Sequence, residues 1–189
     1  MIYTVVRNLF CARADFTQLD TFTAEASLTT GATLPQPTIR GTDMEMGVGK
    51  TWRIMASGII GCTGTPTFTF TVRLNTATAS IAGAILAQSA AITMQAGVSN
   101  QSWFLDVAFT LRTPGSSGTM SIEWAKVESF GGFAAPYGYG MWPGGAASDT
   151  WTQTYNSLVD QYISVSATCG TSNAANLVKL KGLVVDEVR

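Results

Sequence analysis

The sequence predicts an all-β fold, an antiparallel β-sandwich or jelly roll, and three observations predict it. Apolar and polar residues alternate with period two in several stretches. Turn signals separate those stretches about every 8 to 12 residues, and helical periodicity is almost absent. With 189 residues the chain suits one domain and can bury a core of its own.

Taken in order, residues 1–30 hold short strand-like pieces, "IYTVV" and "TFTAEASLT", between polar stretches, and are expected to form an extended N-terminal arm. The sandwich is then expected over 31–189. In "TWRIMASGIIG", Trp52, Ile54 and Ala56 alternate with Arg53, Met55 and Ser57, which is a strand pattern. The clearest signal is "TPTFTFTVRL", with Phe68, Phe70, Val72 and Leu74 on one face and Thr67, Thr69, Thr71 and Arg73 on the other. Residues 80–94, "SIAGAILAQSAAITM", have no clear period. Their place between strands favours strand and bend over helix.

Next, "WFLDVAFTLRT" points Trp103, Leu105, Val107, Phe109 and Leu111 one way, with Asp106, Thr110 and Arg112 opposite, and ends at the Pro-Gly turn "TPGSSGT". "MSIEWAKV" follows, with Met120, Ile122 and Trp124 expected inward. Residues 131–147, "GGFAAPYGYGMWPGGAA", read as a long loop dense in glycine and aromatics, a composition expected at a contact surface. Near the C-terminus, "QYISVSAT" sets Ile163, Val165 and Ala167 on one face. "LVKLKGLVVDEV" closes the chain with Val178, Leu180, Val184 and Val188 expected inward.

Charged residues make up only 12% of the chain, about half the usual share, while apolar residues reach 46%. So bland a surface is poorly protected against association, which points to a protein held in contact with neighbours. A net charge of −1 with scattered Lys and Arg argues against nucleic acid as a partner. Arg7 and Arg13 interrupt the N-terminal apolar run, so no signal-peptide core forms, and the most apolar later window is too short to cross a membrane. The three cysteines lack metal-ligand spacing and read as small buried thiols of a protein made in a reducing cytoplasm; one disulfide with a spare thiol stays open.

No constellation of catalytic residues stands out. Gly49-Lys50-Thr51 ends like a phosphate-binding P-loop, but the position five before Gly49 is Met44, and a strand pattern follows where a helix is required. The chain has no histidine, which removes Ser-His-Asp and Cys-His nucleophiles and imidazole metal sites. Asp43 and Glu45 could approach the carboxyl separation of a glycosidase or ligate calcium, and are weighed against a plain surface role beside Lys50 and Arg53. The expectation is a non-enzyme with no cofactor and no metal.

The run "MGVGKTWRIMASGIIGCTGTPTFTFTVRLN" resembles a recurrent segment of bacteriophage virion proteins, through Gly49, Arg53, Ala56, Ser57, Gly58, Gly64, Thr65, Pro66, Thr67 and Leu74. "SWFLDVAFTLRTPGSSGT" looks like the partner hairpin, and "SATCGTSNAANLVKLKGLVVDEV" like the closing strands. The resemblance is to head decoration (cement) proteins of the jelly-roll type, and similar segments occur in tail and fibre proteins. It implies a structural protein on the capsid surface, made in the host cytoplasm, that binds the major capsid protein and itself as a homo-oligomer, expected to be a trimer. The alternative it leaves is a tail-fibre or receptor-binding head recognising a host glycan; a free-standing carbohydrate-binding module is a third reading. Candidate partner contacts are Phe133, Tyr137, Tyr139, Met141 and Trp142 in the aromatic loop, with Tyr3 and Phe10 in the arm.

Overall fold

The computed structural model describes residues 6–12, 15–30, 37–42, 47–78, 80–135, 138–144 and 151–188. Among these the strands are β1 (Val6–Ala12), β2 (Ala26–Ser27), β3 (Thr38–Ile39), β4 (Thr51–Gly61), β5 (Thr67–Asn75), β6 (Ala84–Ser89), β7 (Ile92–Thr93), β8 (Gln101–Thr113), β9 (Gly118–Ser129), β10 (Tyr139–Pro143), β11 (Thr152–Tyr155), β12 (Gln161–Cys169) and β13 (Leu177–Val188). Gly41 and Thr42 are the only helical residues among those described. The fold is all-β and antiparallel, a sandwich of the jelly-roll kind.

One sheet runs β1-β13-β4-β8-β9, and β11 lies on the first half of β9. The other runs β6-β5-β12, with β2 and β3 on the far edge of β12 and β7 on β5. Strand β10 turns the corner between them: Tyr139 and Gly140 pair with β9, and Met141 to Pro143 pair with β6. The two sheets face each other across an apolar core. Phe70 of β5 meets Trp103 of β8 with ring centroids 4.9 Å apart, and Trp52 stacks on Phe109 at 5.6 Å.

The alternations read from sequence set this core. Phe68, Phe70, Val72 and Leu74 are buried, as are Trp52, Ile54 and Ala56, the inward set of β8, and Ile163, Val165 and Ala167 of β12. Residues 84–89 and 92–93 are strands, as their position between strands predicts. Gly49 takes a positive φ of 84° in the turn that feeds β4, and Thr51 opens that strand. Lys50 belongs to no phosphate loop; its ammonium lies 3.7 Å from the fully buried Glu187 carboxylate, which also takes a 2.7 Å bond from Arg7.

Three inward assignments, Trp124, Val184 and Val188, are corrected, and one physical cause covers them. The register of β8 against β9 skips a residue, Ala108 pairing with Trp124 and Phe109 with Ile122. This β-bulge reverses the phase of β9, so Ala125 and Val127 point inward and Trp124 points out, 43% exposed. A second bulge in β13, where Leu180 pairs with Gly58 and Gly182 with Ser57, reverses phase there. Leu183, Val185 and Glu187 are therefore inward, in place of the expected Val184 and Val188.

The described part of the expected arm is woven into the sandwich. β1 pairs with β13, β2 with β12, and Ala12, Phe16 and Leu28 are buried in the core. Apolar residues in a polar segment pack this way because sheet edges supply both ladder partners and an apolar lining. The cysteines are free thiols. Cys62 and Cys169 are buried, with their sulfurs against turn carbonyls, and burial pushes the Cys62 thiol up. Cys11 departs from the expectation and is exposed on β1. No helix among the described residues is long and apolar enough to cross a membrane.

Candidate functional site

The described residues of the aromatic stretch 131–147 divide between core and surface. Phe133 is 2% exposed, makes a bridge to Met94, and sets its ring 6.3 Å from Phe70 and 5.7 Å edge-on from Tyr139. Met141 is buried and Tyr139 half-buried against the same core. Phe133 and Met141 are thus not exposed contact residues. They plug the corner where β10 passes from one sheet to the other, because an apolar ring beside an open sandwich end gains more from the chain's own core than from water. Trp142, on the opposite face of β10 from Met141, stays 37% exposed. Phe10 is half-buried and packed on the core from β1. Tyr3, Tyr137, Asp43 and Glu45 lie outside the described residues.

Besides Trp142 and Ile81, the exposed large apolar side chains among the described residues lie in two regions. The first is the margin of β9. Its outer edge is shared, with β11 pairing Gly118 to Ser121 and β10 pairing Lys126 and Val127, while the Ile122 N–H donates to the Trp151 carbonyl at 2.8 Å. Trp124 projects from the bulge between these two partners. Trp151 is 46% exposed beside it, and Phe130, in the turn after β9, is the most exposed apolar side chain described. Sequence periodicity missed Trp124 because the bulge that turns it outward has no residue signature in "SIEWAKV".

The second region is the end of the sandwich formed by the turn before β4, the β8–β9 turn and residues 156–160. The Gly49 N–H donates to the Leu111 carbonyl, and Ser157 exchanges bonds with Gly115, so these loops lie at one end. Val48, Leu158 and Val159 are exposed there. Valine and leucine at loop tips carried too little periodicity for the sequence to single them out.

Charges on this surface are mostly spoken for. Eight of the eleven Lys and Arg sit in ion pairs. Arg53 grips Asp106 with two bonds of 2.9 and 2.8 Å, and that carboxylate holds the guanidinium pKa above its ordinary value. Arg73 grips Glu25 likewise, at 2.8 and 2.6 Å. Partial burial works to raise the Glu25 pKa, and the bonds from Arg73 and Ser166 overcome it, leaving the carboxyl below its ordinary value. Asp15, fully in solvent, is lowered by its bonds to Lys179 and Lys181. A face whose charges neutralise one another offers little to a polyanion and leaves apolar contact as its main means of recognition. Among the described residues no group of three or more Cys, Asp or Glu is placed to hold a metal ion.

No family model matches the chain, and no curated protein matches it. Among solved structures it is similar to the CBM2 module of the evolved Dit of Lactobacillus casei BL23 phage J-1. The two share 10% identity over 99% of this chain and 98% of that one, with a TM-score of 0.38. A likeness at that level carries no argument about this chain's role.

Proposed function

We propose that this chain is a non-catalytic structural protein of a bacteriophage virion, a decoration protein that docks on the major capsid protein of the assembled head as a homo-oligomer, with a trimer expected. One observation carries the reading. A chain with few charges, most of them neutralised internally, leaves Val48, Leu158 and Val159 exposed at one end of a rigid sandwich. Such an end fits a dry contact with a neighbouring subunit. The resemblance of residues 46–75 to segments of virion proteins points the same way.

The mechanism is mass action. A protein that binds the assembled shell and not its dispersed subunits stabilises the shell by its binding free energy. Contacts repeated by symmetry let modest single interfaces act together. The test is to add the purified chain to heads of the parent phage assembled without it. Saturable binding and a raised disruption temperature of the heads are expected; binding that never saturates, or none, refutes the reading.

The tail-fibre alternative has one observation in its favour. Trp142 is exposed beside its cross-strand partner Gln88, which is half-buried and whose amide donates to the fully buried Thr71 hydroxyl. An open ring next to polar groups suits a host sugar. Glycan binding abolished by Trp142→Ala would favour this reading over decoration.

A further inference from the structure

The outer face of the β1-β13-β4-β8-β9 sheet carries a constellation that the docking role does not use. Three transverse rows of cross-strand neighbours lie on it. The first is Asp186, Arg53, Ala108 and Trp124; the second is Val184, Met55, Asp106 and Lys126; the third is Gly182, Ser57, Phe104 and Glu128. Ala108 points outward yet has no exposed surface. Its flanking neighbours in the row are Arg53 and Trp124, and the Arg53 guanidinium carbon sits 5.8 Å from the centre of the Trp124 ring. A side chain as small as alanine, between two large ones, is roofed over by them, which lays the indole along the sheet. Arg53 in turn is fixed by its two-point grip on Asp106. The ring therefore has little rotamer freedom left to lose on binding, although 43% of the residue is open to solvent.

On the β13 and β4 side of the second and third rows, not touching Trp124, lies a groove of about 620 Å³ lined by Met55, Phe104, Val184, Ser57, Lys181 and Asn8. From Trp124 to Glu128 the face extends roughly 13 Å along β9 at about 3.3 Å per residue. Its charges balance: Arg53, Lys126, Lys179 and Lys181 stand against Asp106, Asp186, Glu128 and the Asp15 that bonds both Lys179 and Lys181. Lys126 bonds Glu128 at 3.2 Å, and Asn8 bonds Asp186 at 2.9 Å.

We infer that this face binds a neutral oligosaccharide, with the apolar side of one sugar ring stacked on Trp124 and the adjoining sugars in the groove over Met55 and Phe104. The three features select this occupant together. A pinned, open aromatic ring takes a flat, weakly polar surface. Planar side chains that already hold donors and acceptors in fixed directions suit hydroxyl groups, each both donor and acceptor. A balanced face gives neither a polyanion nor a strongly basic peptide an electrostatic advantage. The inference is independent of where the protein sits on a virion, and it concerns the opposite sheet from Trp142.

The test uses the full chain on an array of neutral and acidic bacterial surface oligosaccharides, followed by titration calorimetry on the best binder. Saturable binding to at least one neutral oligosaccharide is expected, nearly unchanged between about 0.05 and 0.5 M salt, where charge-driven binding would collapse. Trp124→Ala is expected to weaken it at least tenfold with the thermal midpoint preserved, and Trp142→Ala to leave it unaltered. Should the alanine variant fold poorly, Trp124→Tyr keeps a ring and is expected to lose only part of the affinity. Three results would overturn the inference: no oligosaccharide bound, binding indifferent to Trp124, or binding confined to acidic ligands and lost in salt. Particle binding by the same variants separates this outcome from that of the virion reading, since Trp124 lies away from the Val48 and Leu158 end.

Discussion

Replacing Phe133 by alanine distinguishes a core plug from a contact surface. The ring is 2% exposed, lies 6.3 Å from Phe70 and 5.7 Å from Tyr139, and is held by bonds on both sides, Gln95 N–H to the Gly132 carbonyl and Ala134 N–H to the Thr93 carbonyl. The backbone is thus pinned and the site has little freedom to collapse around a lost ring. Phenylalanine-to-alanine changes in such cores cost about 3 to 5 kcal/mol, and a chain of this length loses about 2 to 4 °C of midpoint per kcal/mol. A value near 4 kcal/mol gives a fall of about 8 to 16 °C in a melt followed by far-ultraviolet circular dichroism, with a matching shift in the urea midpoint. Phe130→Ala, three residues earlier and 81% exposed, is the control and is expected to stay within about 0.5 kcal/mol of wild type. If the two variants melt together, the Phe133 ring is not part of the core.

Two further perturbations probe the frame of the fold. A Cβ at Gly58, opposite the β13 bulge, would sit 1.9 Å from the Lys179 carbonyl oxygen and 2.8 Å from the Trp103 indole nitrogen, so Gly58→Ala is expected to cost more than about 3 kcal/mol or to abolish soluble expression; a midpoint within about 2 °C of wild type would contradict that packing. Because the folded pKa of Glu25 is lowered, its contribution is present at neutral pH and is lost as pH falls through the folded value. Glu25→Gln should therefore be less stable than wild type by about 1 to 3 kcal/mol at pH 7, with the gap closing below the ordinary glutamate range, whereas a gap that persists at low pH would assign the loss to packing.

Much of the sandwich is legible in the sequence because period-two alternation is a local signal and the sheets bury one face of each strand. It holds through "TFTFTVRL" and "TWRIMAS", because the extra residues of the bulges beside them lie on the partners β6 and β13 and not in these strands. It fails at Trp124 and from Lys181 onward, because a bulge adds one residue on one strand, and only the partner strand's register reveals it. The failure matters most for the candidate sites, since one bulge turns Trp124 out to the surface and the other brings Glu187 inward to Arg7 and Lys50.

The aromatic stretch fails differently. Phe133, Tyr139 and Met141 read as costly to expose, which is correct, yet composition alone cannot say whether their cover comes from a partner or from the chain itself. Likewise the apparent arm is a set of edge strands. Short strands at a sheet edge borrow their order from β12 and β13, about 140 to 180 residues downstream, and show little periodicity of their own. The exposed end at Val48, Leu158 and Val159 becomes visible only once three distant loops are brought together.

The central claim is tested most directly by immunogold labelling of intact particles of the parent phage with antibody raised against the purified chain. The account predicts gold distributed over the head surface. Gold confined to the tail tip would contradict decoration and transfer the case to host recognition, and particles without label would contradict the virion assignment itself.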